Sequence, residues 1–254
     1  MPAALFPSGR LNMSNRYQQL KVAVLVTDGF EQAELLEPKK ALEAAGATVH
    51  ILSDKTDSVQ GFKHVDKGES VSVDGSLDTA RPEDYSAVLL PGGVVNGDAM
   101  RLLPQARNFI RAANDAEKPI ASICHGGWLL ISAGIAKGRT VTSWPSLQDD
   151  FKNAGSQWVD QEVVRDENFV SSRKPTDIPA FNNEFMKLLD EQQRREQGQQ
   201  PDATGGEPAL TEAGGEADTT KPRLSEKGSA PAAPPSHENE AFAVAHGQSP
   251  QSDG

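Results

Sequence analysis

The chain has 254 residues, enough for one well-buried domain with further segments at its ends. Its 36 acidic against 25 basic residues give a net charge of −11, which repels a phosphate backbone unless a local basic patch exists; none is visible, and direct nucleic-acid binding is not expected. The single cysteine, Cys124, excludes an internal disulfide and fits a cytoplasmic setting, no window nears the roughly 20 apolar residues that cross a bilayer, and Met1–Leu20, interrupted by Pro2, Pro7, Gly9 and Arg10, lacks the apolar stretch of a secretory signal.

Residues 1–20 read as a flexible extension, with Met13 as an alternative start whose use would remove Met1–Asn12 without consequence. Lys21–Thr27 is a nearly continuous β-branched run, the signature of a strand covered on both faces. Asp28-Gly29-Phe30 follows, then a helical stretch over residues 31–45 closed by Gly46, with Pro38 expected to kink or restart it. Thr48–Ser53 reads as a second strand, completing a right-handed β-α-β unit. Residues 54–84 hold only weak β-like pieces around Val71–Val73. Ser86–Leu90 is again a buried strand, running into a Pro91-Gly92-Gly93 loop; a helix is predicted over residues 104–116, and a strand over Pro119–Ile123 that ends on Cys124. Beyond it come a helix at 128–133, a strand at 140–142, a helix at 147–154, a hairpin turning at Asp166-Glu167-Asn168, and an amphipathic helix over 176–189 with Ile178, Phe181, Phe185, Leu188 and Leu189 on one face. The alternation predicts an α/β domain over residues 21–190: an open, doubly wound, mainly parallel sheet with helices on both faces.

Residues 191–254 are rich in Gly, Pro, Ser, Gln and Glu and cannot offset their ordering entropy, so a disordered acidic tail is expected. With 11 acidic and 5 basic residues it carries about half of the net charge. Its apolar patch Ala241–Val244 reads as a chance feature more readily than as a docking motif.

Ligands of open α/β sheets bind outside the carboxyl ends of the strands. Three such ends carry unusual residues: 28–34, 91–98 and Cys124-His125-Gly126-Gly127. Ala121-Ser-Ile-Cys-His-Gly-Gly-Trp-Leu-Leu has the form of a nucleophile elbow, in which a strained turn between strand and helix presents the nucleophile and small residues give it clearance. A thiol at a helix N-terminus is expected to have a lowered pKa, and the backbone N–H groups after it to serve as an oxyanion hole, with His125 moving protons. Spacing alone is equally consistent with Cys124 as a small buried hydrophobe and His125 as a structural residue.

Taken together, Asp28-Gly-Phe-Glu-Gln-Ala-Glu-Leu, Leu90-Pro-Gly-Gly, Ala121-Ser-Ile-Cys-His-Gly and Thr142-Ser-Trp-Pro resemble the ThiJ/PfpI family, most closely its PfpI branch, over residues 21–189. The resemblance implies the flavodoxin-like core shared with class I glutamine amidotransferases. It makes Cys124 the nucleophile, His125 its neighbouring histidine, and Glu34 a protonated carboxyl that donates a hydrogen bond to the thiolate, in keeping with a carboxyl whose pKa is raised by burial and like charge. By the same resemblance Asp98 would reach across a subunit contact to orient the histidine, although the loop before it is one residue longer here. Glu31 would line the pocket or serve as a plain helix N-terminal charge. Gly92, Gly93 and Gly126 would leave room for substrate with N–H groups aimed at it, or form simple tight turns. Trp144 would line the pocket or a subunit contact, or pack in the core. The family often has Pro where this chain has Gly127.

The implied activity is a stress-protective, cofactor-independent, metal-free attack of Cys124 on reactive carbonyls, of glyoxalase III or protein deglycase type, by a homodimer or hexamer acting on small aldehydes or glycated substrates. An intracellular cysteine peptidase of PfpI type is the alternative, followed by a redox-sensing or chaperone stress protein, since a low-pKa thiol oxidises readily.

Overall fold

A computed structural model describes residues 16–198. The strands are β1 (Lys21–Leu25), β2 (Phe30–Glu31), β3 (Thr48–Ser53), β4 (Ser58–Lys63), β5 (Asp66–Ser72), β6 (Gly75–Ser76), β7 (Ala87–Leu90), β8 (Ile120–Ile123), β9 (Thr140–Val141), β10 (Gln157–Trp158), β11 (Val163–Asp166) and β12 (Phe169–Ser172). The helices are α1 (Gln32–Ala44), α2 (Val94–Leu102), α3 (Pro104–Asp115), α4 (Gly127–Ser132), α5 (Gln148–Asn153) and α6 (Ile178–Glu196). Seven strands form the main sheet in the order β11-β12-β8-β7-β1-β3-β6. All pairings in it are parallel except β11 with β12, the hairpin read from Asp166-Glu167-Asn168.

Alternation along β1 sorts the core into two layers, because successive side chains of a strand point to opposite faces. Val22 and Val24 pack with Leu35 and Leu42 of α1 and with Phe181, Phe185 and Leu189 of α6. Ala23 and Leu25 pack on the other face with Met100 of α2, Phe109 and Ile110 of α3, and Leu129 of α4. Helices on both faces explain why the central strands are apolar throughout: β7 and β8 are buried at every position. The doubly wound architecture is therefore the one the alternation predicts.

Several boundaries differ from the sequence reading. Residues 16–20, expected within a flexible extension, are packed onto the domain: Tyr17 is fully buried, and its hydroxyl donates to the Met186 carbonyl at 2.8 Å and to Asp190 Oδ1 at 3.0 Å. Helix α6 runs to Glu196, past the expected start of the tail, because Arg165 of β11 holds Glu191 through paired hydrogen bonds. Residues 1–15 and 199–254, including the acidic tail and its patch at 241–244, lie outside the described residues. Pro38 sits inside α1 without ending it; only the Glu34 carbonyl loses its helical donor, and the buried face of the helix carries it through.

The weakly patterned stretch 54–84 contains a hairpin. Strands β4 and β5 pair antiparallel, and β2 adds to β4 to form a separate three-stranded sheet. This hairpin is docked on the loop after β1: the Gln60 N–H donates to Asp28 Oδ1 at 2.8 Å, the Gly29 N–H to the Gln60 carbonyl at 2.8 Å, and the Glu69 N–H to Gln32 Oε1 at 2.7 Å.

Candidate active site

Strands β1, β7 and β8 end side by side, so the loops that follow them converge. A pocket of about 380 Å³ opens there, lined by Cys124, His125, Glu34, Glu31, Gly93 and Trp144 among others. Cys124 directly follows β8 and has φ 58°. A non-glycine residue in this left-handed region is strained by about 1–2 kcal/mol. The cost is met by the parallel pairing before the turn and by the short 3-10 turn 124–126 that leads into α4. The elbow is thus a feature of the backbone as well as of the motif.

The loop after β7 closes on this turn so tightly that side chains are excluded. A Cβ on Gly92 would lie 2.4 Å from Glu34 Oε2 and 2.6 Å from Cys124 Cβ, and Gly93 has φ 91° with the Gly29 carbonyl 2.3 Å from any Cβ. The N–H groups of this loop are already engaged. Gly92 donates to Glu34 Oε2 at 2.9 Å, while the N–H groups of Gly93 and His125 point to the Cys124 sulfur. They hold Glu34 and Cys124 first, rather than forming a free oxyanion hole. The loop itself is held by Asn96, a residue the sequence reading passed over. It is 1% exposed, and its amide accepts from the Thr27 N–H at 2.8 Å and donates to the Pro91 and Gly92 carbonyls, each at 3.0 Å. One side chain therefore ties the ends of β1 and β7 together.

Glu34, on the first turn of α1, is fully buried, and its Oε1 has no partner among the protein donors. Burial raises its pKa to about 8, opposed by hydrogen bonding to Cys124 and assisted by the charge of Glu31. At neutral pH it is mostly a neutral acid beside the thiol. The Cys124 thiol is pushed up rather than down, by burial first and then by the Glu34 carboxylate, with the Gly93 and His125 N–H groups pulling the other way. The expected lowering by the helix terminus is overridden in this closed pocket, because desolvation penalises the anion more than a one-turn dipole favours it. His125 places Nδ1 3.2 Å from Sγ, and burial lowers its pKa to about 4, so it is a neutral imidazole at neutral pH.

The remaining candidates fall into place as follows. Glu31 lines the pocket, and its Oε2 accepts the His64 N–H at 2.9 Å. Trp144 lines the pocket at 38% exposure, its N–H directed to the Cys124 carbonyl at 3.4 Å. Gly126 does not line the pocket; it is glycine because a Cβ would stand 2.4 Å from the Leu90 carbonyl oxygen. Asp98 is exposed on α2, outside the pocket lining of its own chain, and the segment after Gly93 is helix rather than loop. At Gly127, Phe151 fills the space of the missing side chain, with Cζ 2.7 Å from where a Cβ would be. Phe62 and His64, which also line the pocket, come from the hairpin that weak patterning hid. Among the described residues no three His, Cys, Asp or Glu side chains converge as a metal site requires, and no helix is long and apolar enough to cross a membrane.

Residues 20–188 match the DJ-1/PfpI family. The chain belongs to the DJ-1/PfpI family. Among curated relatives, Deglycase PH1704 of Pyrococcus horikoshii is 45% identical over 170 residues, covering 67% of this chain and 99% of that protein. Deglycase PfpI of Pyrococcus furiosus is 42% identical over 170 residues with the same coverage of both chains. The resemblance to the PfpI branch therefore holds. A Bacillus subtilis relative, YraA, named as a candidate cysteine protease, is 38% identical over 169 residues, covering 66% of this chain and 98% of its own. In structure, the chain is similar to a two-domain protein of Anabaena variabilis with DJ-1/ThiJ/PfpI-like and ferritin-like domains, at TM-score 0.65 and 30% identity, covering 68% of this chain and 48% of that one. A ThiJ/PfpI domain protein of Brachyspira murdochii aligns at TM-score 0.63 and 20% identity, covering 69% and 98%, which shows the shared flavodoxin-like fold.

Proposed function

We propose that this protein is a Cys124-dependent enzyme acting on reactive carbonyls, of glyoxalase or deglycase type. The observation that carries the reading is the juxtaposition of an elbow thiol with a buried, largely protonated Glu34 and a neutral His125 in one pocket. The family relatives named deglycases support the substrate class.

The chemistry follows from the protonation states. His125 Nδ1 takes the thiol proton as sulfur attacks the aldehyde carbon, forming a hemithioacetal, and Glu34 supports the sulfur by donating its hydrogen bond. With methylglyoxal, moving the C1 proton to C2 through an enediol gives a lactoyl thioester. Water then cleaves that ester, releasing lactate and restoring the thiol. The sum is substrate plus water, so no oxidant or reductant is consumed. On a glycated amine, collapse of the adduct releases the amine as the leaving group and leads to the same thioester.

Asp28, Glu31 and Glu34 line the pocket together with His64 and His125, and among the described residues no Lys or Arg does so. Neutral aldehydes and amine adducts suit this lining better than carboxylates. A cysteine peptidase is the second reading, favoured by the Nδ1–Sγ contact of 3.2 Å and by the name of the Bacillus subtilis relative. Among the described residues no carboxylate of the same chain hydrogen-bonds His125 in the manner of a triad; Asp98, exposed on α2, would supply one from a second subunit.

The test is incubation of the protein, Cys124→Ser and Glu34→Gln with methylglyoxal without glutathione, following lactate over many equivalents. Sustained lactate formation that vanishes in Cys124→Ser is expected. Product that stops at one equivalent or less, with a modified thiol, would overturn the reading.

A further inference from the structure

The His125 ring makes one hydrogen-bonding contact among the described residues, from Nδ1 to Sγ. That contact alone does not fix the ring, since rotation about the bond between Cβ and the imidazole is soft. Two indoles flank it. Trp144 lies 6.0 Å away, centroid to centroid, with ring planes 29° apart, on the pocket side. Trp128, one helical turn beyond His125, lies 5.0 Å away at 59° and does not line the pocket.

Trp128 is itself held at two points. Its indole N–H donates to Asp150 Oδ2 of α5 at 2.7 Å. The Arg101 guanidinium of α2 sits 5.3 Å from a ring centroid of the indole and is tethered through Nε–H to Ser132 Oγ at 3.0 Å. The backbone of α2 closes the remaining side, where a Cβ on Gly97 would be 2.6 Å from the His125 carbonyl and 3.1 Å from its Cβ.

We propose that Trp128, locked by Asp150, is a positioning residue that fixes the plane of the His125 imidazole so that Nδ1 faces Cys124 Sγ. In this arrangement a single chain orients its own proton-transfer histidine with an aromatic wall. The aromatic contact sets the ring plane and excludes water, and the charge-assisted indole bond keeps the wall from rotating. The proposal rests on the reading that His125 moves protons for Cys124. The charged or titratable groups that share the pocket with the ring are Cys124 on its own turn, Asp28, Glu31 and Glu34 across the pocket, and His64 at the hairpin. Asp98 and Arg101 stand on α2, and Asp150 lies behind the indole.

The test compares the full chain with Trp128→Leu, Asp150→Ala and Asp150→Asn. It reads the titration of His125 by NMR on histidine-labelled protein and the rate of Cys124 alkylation by iodoacetamide between pH 6 and 8. Trp128→Leu is expected to raise the His125 pKa from about 4 toward the ordinary 6.5, and to slow alkylation about tenfold, as a loss of orientation would. Asp150→Ala should move both readouts the same way to a smaller extent, and Asp150→Asn, which keeps an acceptor, should restore them. Where methylglyoxal is turned over, kcat falls and KM does not. A folded Trp128→Leu with unchanged titration and alkylation overturns the proposal; if that variant does not fold, unchanged readouts in Asp150→Ala overturn it. Shifted readouts in a protein with no methylglyoxal turnover uphold the positioning role and sink the carbonyl reading instead.

Discussion

Replacing Glu34 by Gln keeps the shape of a fully buried side chain and removes its ionisation, which makes the energetic role of the carboxyl measurable without any substrate. In the folded protein its pKa is raised from 4.5 to about 8 by burial. Between those values the native state holds a proton that the unfolded chain has released, so stability is full below pH 4.5 and declines as pH rises toward 8. The slope is about 1.4 kcal/mol per pH unit. The stability of Glu34→Gln relative to the parent should therefore grow by about 3 kcal/mol between roughly pH 5.5 and pH 7.5. His125 has the opposite sign: its pKa is lowered to about 4, so its contribution is present above 6.5 and is lost as pH falls through 4. Because both proteins carry His125, it cancels in the difference, and the raised Cys124 thiol titrates above this window. Urea unfolding at fixed ionic strength across this range is the assay. Parallel curves for parent and variant would show that Glu34 ionises normally, and the argument for a neutral donor beside the thiol would fail.

Other outcomes follow from the same contacts. Asn96→Ala strands the buried Thr27 N–H and frees the Pro91 and Gly92 carbonyls, and should cost about 3 kcal/mol; an unchanged urea midpoint would mean that the loop is held elsewhere. Gly126→Ala must push a Cβ into the Leu90 carbonyl and should lose at least about 3 kcal/mol, whereas Gly134→Ala, with φ 75° and nothing within 4 Å, should lose only about 1 kcal/mol. Thermal melts of the two variants separate crowding from strain, and equal melts would refute the distinction. Tyr17→Phe, which removes two hydrogen bonds, should cost about 1 kcal/mol and Tyr17→Ala about 3–4 kcal/mol; no loss in either would return residues 16–20 to a loose extension. Glyoxylate should be turned over at least about tenfold less efficiently than glyoxal, as one unfavourable charge contact is worth about 1.4 kcal/mol, and comparable kcat/KM values would deny the acidic lining a role in selectivity.

The elements that sequence could place are those whose signal is local. The β-branched run of β1, the apolar runs of β7 and β8, and the stripe of Ile178, Phe181, Phe185 and Leu189 on α6 each bury a face fixed by the 2.0 or 3.6 period, so the fold class was legible from pattern, while the strand order was not. The strand-to-helix turn at Cys124 was legible too, but its spacing alone fitted a buried small residue as well as a nucleophile, and the resemblance to a known family decided between them. The β4–β5 hairpin was not: β5 is mostly exposed, so it has little apolar alternation to display, and its turn carries no Asn-Gly or Asp-Gly pair. That hairpin supplies Phe62 and His64 to the pocket, and the sequence gives no sign of either.

Identity and spacing by themselves determined which segments stand at the strand ends, residues 28–34, 91–98 and 124–127, and the family resemblance added that Glu34 would meet Cys124 there. Only the tertiary structure decided their protonation, because a pKa depends on how much water the fold removes and on which N–H groups it directs at each atom. It moved the thiol up where the motif suggested down, set Gly126 against the Leu90 carbonyl, and placed Trp128 and Asp150 behind the histidine. These are contacts between segments far apart in the chain, set by packing across elements and carrying no periodic trace within any one of them.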